Sequence, residues 1–304
     1  MKNKRCSELD SIKFLAIFLI YTTHFIADYK PELLDFWNNY PTKLVLGGIT
    51  GKFGVALFGV LLGYFAYIGN KKKTLLVYSI KRYGYFVFVG MFINLIYCIY
   101  YRLSIVKAVT VSLKLGCDIF PTYWCMRDFL FASIIAYYVG YAKWSFNDKL
   151  IAIIILFLCG QVWIPICLLG ILVPDIVDSK CFKIRHWKYF ILFIGCLFIK
   201  QDESDFTYIL YGVFAIICIC IIENTDILKE LLNNKITSSL GKRTMAIFVI
   251  HRIAFTIITE RLLVYGFNLE IIWGICFVVI CILAYPISAL FNIYNTGVNK
   301  IFDA

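Results

Sequence analysis

Long apolar stretches separated by short polar segments make up most of the chain. Ten such runs cover residues 11–27, 51–69, 84–101, 123–141, 150–160, 162–174, 187–200, 206–223, 244–262 and 269–293. The hydrocarbon core of a membrane is about 30 Å thick, and roughly 20 residues of helix cross it. The pattern therefore predicts an all-α, polytopic integral membrane protein of about ten transmembrane helices, with residues 1–304 as a single transmembrane domain. Only Gly160 and Gln161 separate the short fifth and sixth runs, which predicts a tight helical hairpin or an imperfect pair.

Composition agrees with this class and excludes an ordinary soluble protein. Hydrophobic residues make up 61% of the chain and charged residues 16%, against about 45–50% and about 25% in soluble domains. The 12 cysteines include no Cys-x-x-Cys pair and lie mostly within the apolar runs. We therefore expect them to be small buried apolar residues, and we expect no metal site.

The charge distribution predicts the orientation. The 30 Lys and Arg residues outnumber the 19 Asp and Glu residues. Most of the basic residues, Lys149 before the fifth run among them, fall in segments that are cytoplasmic if the N-terminus is cytoplasmic. Because basic loops remain on the cytoplasmic side, facing anionic lipid, both termini are predicted to be cytoplasmic. We expect a multi-pass protein of the cell membrane (plasma or inner membrane), in contact with membrane lipids and with no nucleic-acid partner.

Two ionisable residues, Lys13 and His24, lie in the first apolar run, where charged groups are costly and often functional. They are eleven positions apart, which places both on one face of a helix with a rise of about 16 Å. Lys13 has two interpretations, because it either acts in the chemistry or extends to the interface and pairs with Asp10. His24 is either a packing residue or a general base, since its neutral imidazole can accept a hydroxyl proton.

Four segments in chain order make the sequence resemble membrane acyltransferase family 3. They are Glu8-Leu9-Asp10-x-x-Lys13 followed by His24, Phe53–Phe58 running to Gly63-Tyr64, Tyr123–Asp128, and Leu240-Gly241-Lys242 running to Ile250-His251. The resemblance extends over nearly the whole chain. One departure is Leu62, which stands where the family usually has a serine.

The resemblance implies an integral-membrane O-acyltransferase that uses acetyl-CoA or another acyl-CoA from the cytoplasm. The acceptor would be a hydroxyl of a carbohydrate, either a cell-surface polysaccharide or its lipid-linked saccharide precursor. His24 matches the family's catalytic histidine and Lys13 its basic partner. Lys81 and Arg82, in the basic segment after the second run, are the expected contacts to the donor, with a simple positive-inside anchor as the alternative.

Three more residues are candidates for the acceptor site. Arg127 is expected to line the acceptor cavity, with Trp124 stacking on a sugar ring one turn earlier, although a local ion pair with Asp128 also explains the arginine. His251 is expected to be either catalytic or structural and pore-lining.

Two other classes of protein fit the ten apolar runs. A transporter or flippase of a lipid-linked saccharide would have a similar number of spans with scattered buried charges. It would also be expected to show an internal repeat, which this sequence lacks. A polysaccharide polymerase would be expected to carry a large external loop, and the longest loop here, at about residues 28–50, is modest.

Overall fold

Helix covers 89% of the residues described by the computed structural model, which are 7–29, 50–69, 74–115, 125–178 and 205–303. Those residues contain no β-strand. The α-helices, numbered here within the described residues, are α1 Ser7–Asp28, α2 Thr50–Ile68, α3 Leu75–Tyr100, α4 Ile105–Leu113, α5 Met126–Ala142, α6 Phe146–Leu158, α7 Trp163–Leu168, α8 Val173–Asp178, α9 Asp205–Glu223, α10 Asp226–Leu232, α11 Lys235–Gly241, α12 Thr244–Val264 and α13 Leu269–Asp303. A 3₁₀ turn, Leu169–Leu172, joins α7 to α8. The all-α class predicted from the sequence is confirmed for these residues.

Four of the described helices are long and apolar enough to cross a membrane: α1, α2, α3 and α13. A fifth crossing is formed if α9 and α10 act together, and these two helices are bent by 99° at the break between them. The chain therefore has the helices of a membrane protein. The predicted number of ten crossings and the predicted orientation of the termini are neither established nor excluded by these helices.

The predicted apolar runs correspond to helices in chain order, with three differences. Helix α13 continues to Asp303, ten residues beyond the predicted end at residue 293. Helix α3 begins at Leu75, well before the predicted start at residue 84. The sixth run is divided among α7, the 3₁₀ turn and α8, and Gly160 (φ 77°) makes the sharp turn before it. A left-handed φ of this kind is readily adopted by glycine. The seventh run, 187–200, lies outside the described residues.

Helix α2 lies at the centre of the packing and contacts α1, α5, α7, the 3₁₀ turn and α9. Helices α1 and α2 run antiparallel, because Gly51 packs against Thr23 while Phe65 lies beside Lys13. We call the end of the bundle where α1 finishes and α2 begins the His24 end. The opposite end, where α1 begins and α2 finishes, is the Lys13 end.

Glycines allow α2 to touch both α7 and the 3₁₀ turn backbone to backbone. A β-carbon added at Gly63 would overlap the carbonyl group of Cys167, and one added at Gly170 would overlap the carbonyl oxygen of Val60. Helices in membranes often associate through such small residues, because close backbone approach increases van der Waals contact. The packing fixes α7 against α2 and so positions the turn that precedes α7.

Candidate functional site

The main candidate site is a pair of histidines between α1 and α12 at the His24 end. Nδ1 of His24 lies 2.8 Å from Nε2 of His251, which is a hydrogen bond between the two rings. The ring planes differ by 17° and the ring centroids are 5.1 Å apart. Because the bonded nitrogens are so much closer than the centroids, the rings meet edge to edge. The structure thus brings together two residues that are 227 positions apart in the chain.

The backbone carbonyl group of Phe248 determines which ring nitrogens of the two histidines carry protons. Nδ1 of His251 is 2.6 Å from the backbone carbonyl oxygen of Phe248. A carbonyl oxygen only accepts, so we assign the proton of His251 to Nδ1, which leaves Nε2 of the neutral ring as an acceptor. His24 must then donate from Nδ1. Nε2 of a neutral His24 therefore keeps its lone pair, in the arrangement of a base that is held in place by a second group.

Aromatic side chains surround the second histidine. His251 is completely buried, and the rings of Phe248 and Phe255 lie 5.8 Å and 6.1 Å from it, centroid to centroid. Phe248 in turn stacks on Phe58 of α2. A hydrogen bond in such apolar surroundings is electrostatically stronger than one in water. The burial therefore favours a fixed orientation of His251 and of the His24 ring that it contacts.

An ion pair connects the same two helices beside the histidines. The guanidinium of Arg252 donates from Nε to Oδ2 of Asp28 at 3.0 Å and from Nη2 to Oδ1 at 2.8 Å. Asp28 lies one turn after His24, and Arg252 directly follows His251. Sequence reasoning missed this pair. Two signals for it were present: an acidic residue four positions after one histidine and a basic residue next to the other. Two-pronged Arg–carboxylate contacts fix geometry, so the pair helps to hold α1 and α12 in register.

Lys13, the predicted partner of His24, lies away from it at the Lys13 end. Its Nζ atom is 2.6 Å from Oδ1 of the buried Asp10 and 4.6 Å from the centroid of the Phe65 ring. The rise of about 16 Å along α1 prevents Lys13 from touching the atoms that His24 touches. The ion pair with Asp10, which the sequence offered as one of two interpretations, is present.

Lys81 and Arg82 lie within α3 and not in the predicted loop, so that placement is corrected. The residues from Leu75 onward continue the helix because the Thr74 side chain caps its first turn. Nε of Arg82 donates to Oγ of Ser133 on α5 at 3.2 Å, and the guanidinium lies 5.0 Å from the Phe86 ring centroid. These contacts orient Arg82 toward α5.

Arg127 lies at the start of α5, is exposed, and lines an open cavity of about 440 Å³. The other lining residues are Asp128, Gly160, Gln161, Val162, Trp163 and Tyr208. Arg127 thus lines a cavity, and its assignment to an acceptor site stays a prediction. Trp124, its predicted companion, lies outside the described residues, as does the third histidine, His186.

Lys149 is a buried cation that sequence reasoning assigned to a polar loop. It lies in the first turn of α6, only 2% exposed, where Nζ donates to Oη of Tyr67 at 2.9 Å and to Oδ2 of Asp175 at 2.7 Å. Tyr67 lies in the last turn of α2 and Asp175 belongs to α8, so one ammonium group joins three helices at the Lys13 end. The sequence is ambiguous at this position, because a lysine that borders an apolar run can lie either in a loop or in the first turn of a helix.

Replacing Asp175 with alanine is expected to destabilise the protein by about 2 kcal/mol. Removing one partner of a buried ion pair typically costs about 3–5 kcal/mol, and this cost is smaller because the Asp175 side chain is 36% exposed. Thermal unfolding in detergent, followed by tryptophan fluorescence, measures the loss. Asp178→Ala, which removes an exposed carboxylate from the same helix, is the control and should change stability little. Equal stabilities of the two variants would contradict a supporting role for this ion pair.

Searches of protein families, curated proteins and solved structures find no match to the chain. The structure therefore defines a broad class only, that of all-helical proteins with helices that can span a membrane. Its distinguishing feature is a hydrogen-bonded histidine pair between α1, which is one of those helices, and α12.

Proposed function

We propose that this protein is a membrane O-acyltransferase that transfers an acyl group, most simply acetyl, from acyl-CoA to a carbohydrate hydroxyl. The acceptor would be a cell-surface polysaccharide or its lipid-linked precursor. The observation that carries the proposal is the hydrogen bond from His24 to His251, which leaves Nε2 of His24 as an oriented base. The resemblance of four segments to membrane acyltransferase family 3 supplies the reaction, while the apolar runs and the basic segments supply the proposed ten helices and cytoplasmic termini.

His24 is the proposed catalytic residue, and its free nitrogen has two possible tasks. As a general base, Nε2 takes the proton of the acceptor hydroxyl while the oxygen attacks the thioester carbonyl. The C–S bond then breaks, a C–O ester bond forms, and the proton passes to the leaving thiolate to give free CoA. As an acyl carrier, Nε2 first attacks the thioester carbonyl, the C–S bond breaks and CoA leaves as the thiolate. The hydroxyl oxygen then attacks the acyl carbon, the N–C bond to His24 breaks as the C–O ester bond forms, and the hydroxyl proton passes to the thiolate. In both tasks His251 holds the ring by accepting from Nδ1.

The donor is proposed to approach from the Lys13 end. Lys13 and, on α3, Lys81 and Arg82 supply positive charge that suits the phosphates of CoA. The thioester would have to extend about 16 Å along α1 to reach His24, roughly half of the hydrocarbon core. We therefore propose that Lys13 binds the donor and takes no direct part at the reacting atoms.

The test is the ester content of the surface glycan in cells that lack the protein. Proton NMR before and after mild alkali measures O-acyl groups in cells complemented with wild type, with His24→Ala, or with empty vector. We expect O-acyl signals to return with wild type only, while immunoblots show equal membrane levels of both proteins. Acyl content that is identical in all three strains would contradict the proposal.

A transporter or flippase of a lipid-linked saccharide is the second candidate, favoured by the bend of 99° between α9 and α10. Helices broken within the membrane, together with charges buried between helices, are typical of transporters. In the same experiment a transporter would change the amount or length of the glycan and leave its acyl content unaltered.

A further inference from the structure

The open cavity at the start of α5 combines flat apolar rings with several kinds of hydrogen-bonding group. The rings of Trp163 and Tyr208 lie 5.1 Å apart, centroid to centroid, with their planes inclined at 59°. Around them Arg127 offers only donors, Asp128 offers acceptors, and Gln161 offers both. Small-molecule sites are typically built in this way, with apolar walls and a few polar groups that fix orientation.

Sugar rings match that combination. A pyranose ring presents C–H groups on its faces and hydroxyls around its edge, so it stacks on an aromatic face while its hydroxyls bond to the surrounding polar groups. The cavity volume of about 440 Å³ falls in the range of about 300–1,000 Å³ that is usual for ligand pockets. The positive φ of Gly160 makes the turn that brings Gln161 and Trp163 to the same cavity.

Contacts connect this cavity with the histidine pair. The ammonium of Lys52 lies 5.3 Å from the ring centroid of Tyr208. Gly51, the preceding residue, packs against Thr23, which directly precedes His24 in α1. The cavity and His24 are therefore both at the His24 end of the bundle, and the first turn of α2 lies between them.

We propose that this cavity, lined by Arg127, Asp128, Gln161, Trp163 and Tyr208, is a saccharide-binding subsite. It would hold one ring of an oligosaccharide, with a hydroxyl of an adjoining ring directed across the start of α2 toward Nε2 of His24. The binding role follows from the cavity alone, whereas its identification as the acceptor subsite rests on the proposed acyltransferase function. The positive charges of Lys52 and Arg127 also permit a sugar that carries an acidic group.

The experiment measures saccharide binding and acyl transfer separately. The probe is an oligosaccharide fraction of the surface glycan from cells that make the protein, freed of esters with mild alkali. Calorimetric titration into the protein in lipid nanodiscs gives Kd, and release of CoA from acetyl-CoA gives kcat and both KM values. Trp163→Ala is expected to weaken binding of the probe about tenfold or more, as truncation of a central aromatic contact commonly does. The KM for acetyl-CoA should be unchanged, and Trp163→Phe should keep most of the affinity.

Trp144→Ala is the matched control. Trp144 is a half-buried tryptophan that packs on Tyr138 at the opposite end of α5. The control variant therefore loses the same kind of side chain at a place away from the cavity. If Trp163→Ala fails to reach the membrane, Arg127→Ala and Gln161→Ala replace it, because both residues are exposed. Each is expected to weaken binding by a smaller factor.

The outcomes distinguish this proposal from the enzymatic one. Unchanged affinity in the cavity variants, or no saturable binding to wild type, would overturn the saccharide subsite. Binding that is lost in Trp163→Ala, in a wild-type protein that transfers no acetyl group, would support the subsite and reject the acyltransferase. Binding that is retained in His24→Ala while transfer is lost would support both.

Discussion

Replacing His24 with alanine is expected to lower the rate of acetyl transfer by the purified protein by about 10²–10⁴-fold. General acid–base catalysis typically contributes a factor of this size, and alanine offers no atom that can take the hydroxyl proton or the acyl group. The reacting nitrogen is the one that the hydrogen bond to His251 leaves free. The His251 ring lies 5.1 Å from the His24 ring, centroid to centroid, and is completely buried, so it does not reach the hydroxyl in place of His24. The measurement is the initial rate of CoA release in nanodiscs with saturating acetyl-CoA and de-acylated glycan fragments.

His186→Ala is the matched control for that loss. It removes the third of the chain's three histidines, which lies in a basic segment and has no proposed part in the reaction. Its rate should equal that of wild type. Transfer by His24→Ala at the wild-type rate would exclude His24 from the chemistry and would leave the hydrogen-bonded pair without a catalytic role.

The same two proteins distinguish the two tasks of His24. Incubation with acetyl-labelled acyl-CoA in the absence of acceptor, followed by a rapid quench, leaves label on the protein if His24 carries the acyl group. Wild type would then be labelled and His24→Ala would not. If His24 is a general base, neither protein retains label, although wild type still transfers acetyl once the acceptor is added.

The sequence predicts the helices and one half of the site. Apolar runs of about 20 residues are a strong local signal, and the periodicity of α1 alone places Lys13 and His24 on one face. The partner of His24 was not predictable in the same way, since His251 lies 227 residues away. Only the packing of α1 against α12 decides which of the other polar residues it meets. The ion pair between Asp28 and Arg252 was missed for the same reason.

Charged residues near the ends of apolar runs were the least predictable. Hydropathy ends a helix at the first charges, yet α3 continues through Lys81 and Arg82 because Ser133 and nearby rings accommodate the guanidinium. Lys149 was assigned to a loop, yet it lies inside α6 because Tyr67 and Asp175 satisfy its ammonium group. A buried charge requires a partner, and such a partner is visible only in three dimensions.

Replacing His251 should lower kcat. The size of the loss should depend on whether the hydrogen bond to His24 or the one to the carbonyl of Phe248 is removed. His251→Ala removes the acceptor for Nδ1 of His24, and misplacement of a catalytic group commonly costs about 10²-fold in rate. Glutamine can place an acceptor oxygen near the former Nε2 position, which preserves the contact with His24. Asparagine is shorter and can instead donate to the carbonyl of Phe248. We therefore expect His251→Gln to be much more active than His251→Asn, with His251→Asn close to alanine.

This order of kcat values shows whether His251 positions His24 or only supports the fold. Both amide variants replace a buried ring with a smaller polar group, so they should lose similar stability. The thermal midpoint and the KM values for both substrates should therefore be nearly the same in the two proteins, and kcat should carry the difference. If kcat instead follows thermal stability across alanine, asparagine and glutamine, His251 supports the fold alone. If His251 orients His24, the variant that keeps an acceptor for Nδ1 of His24 must have the larger kcat.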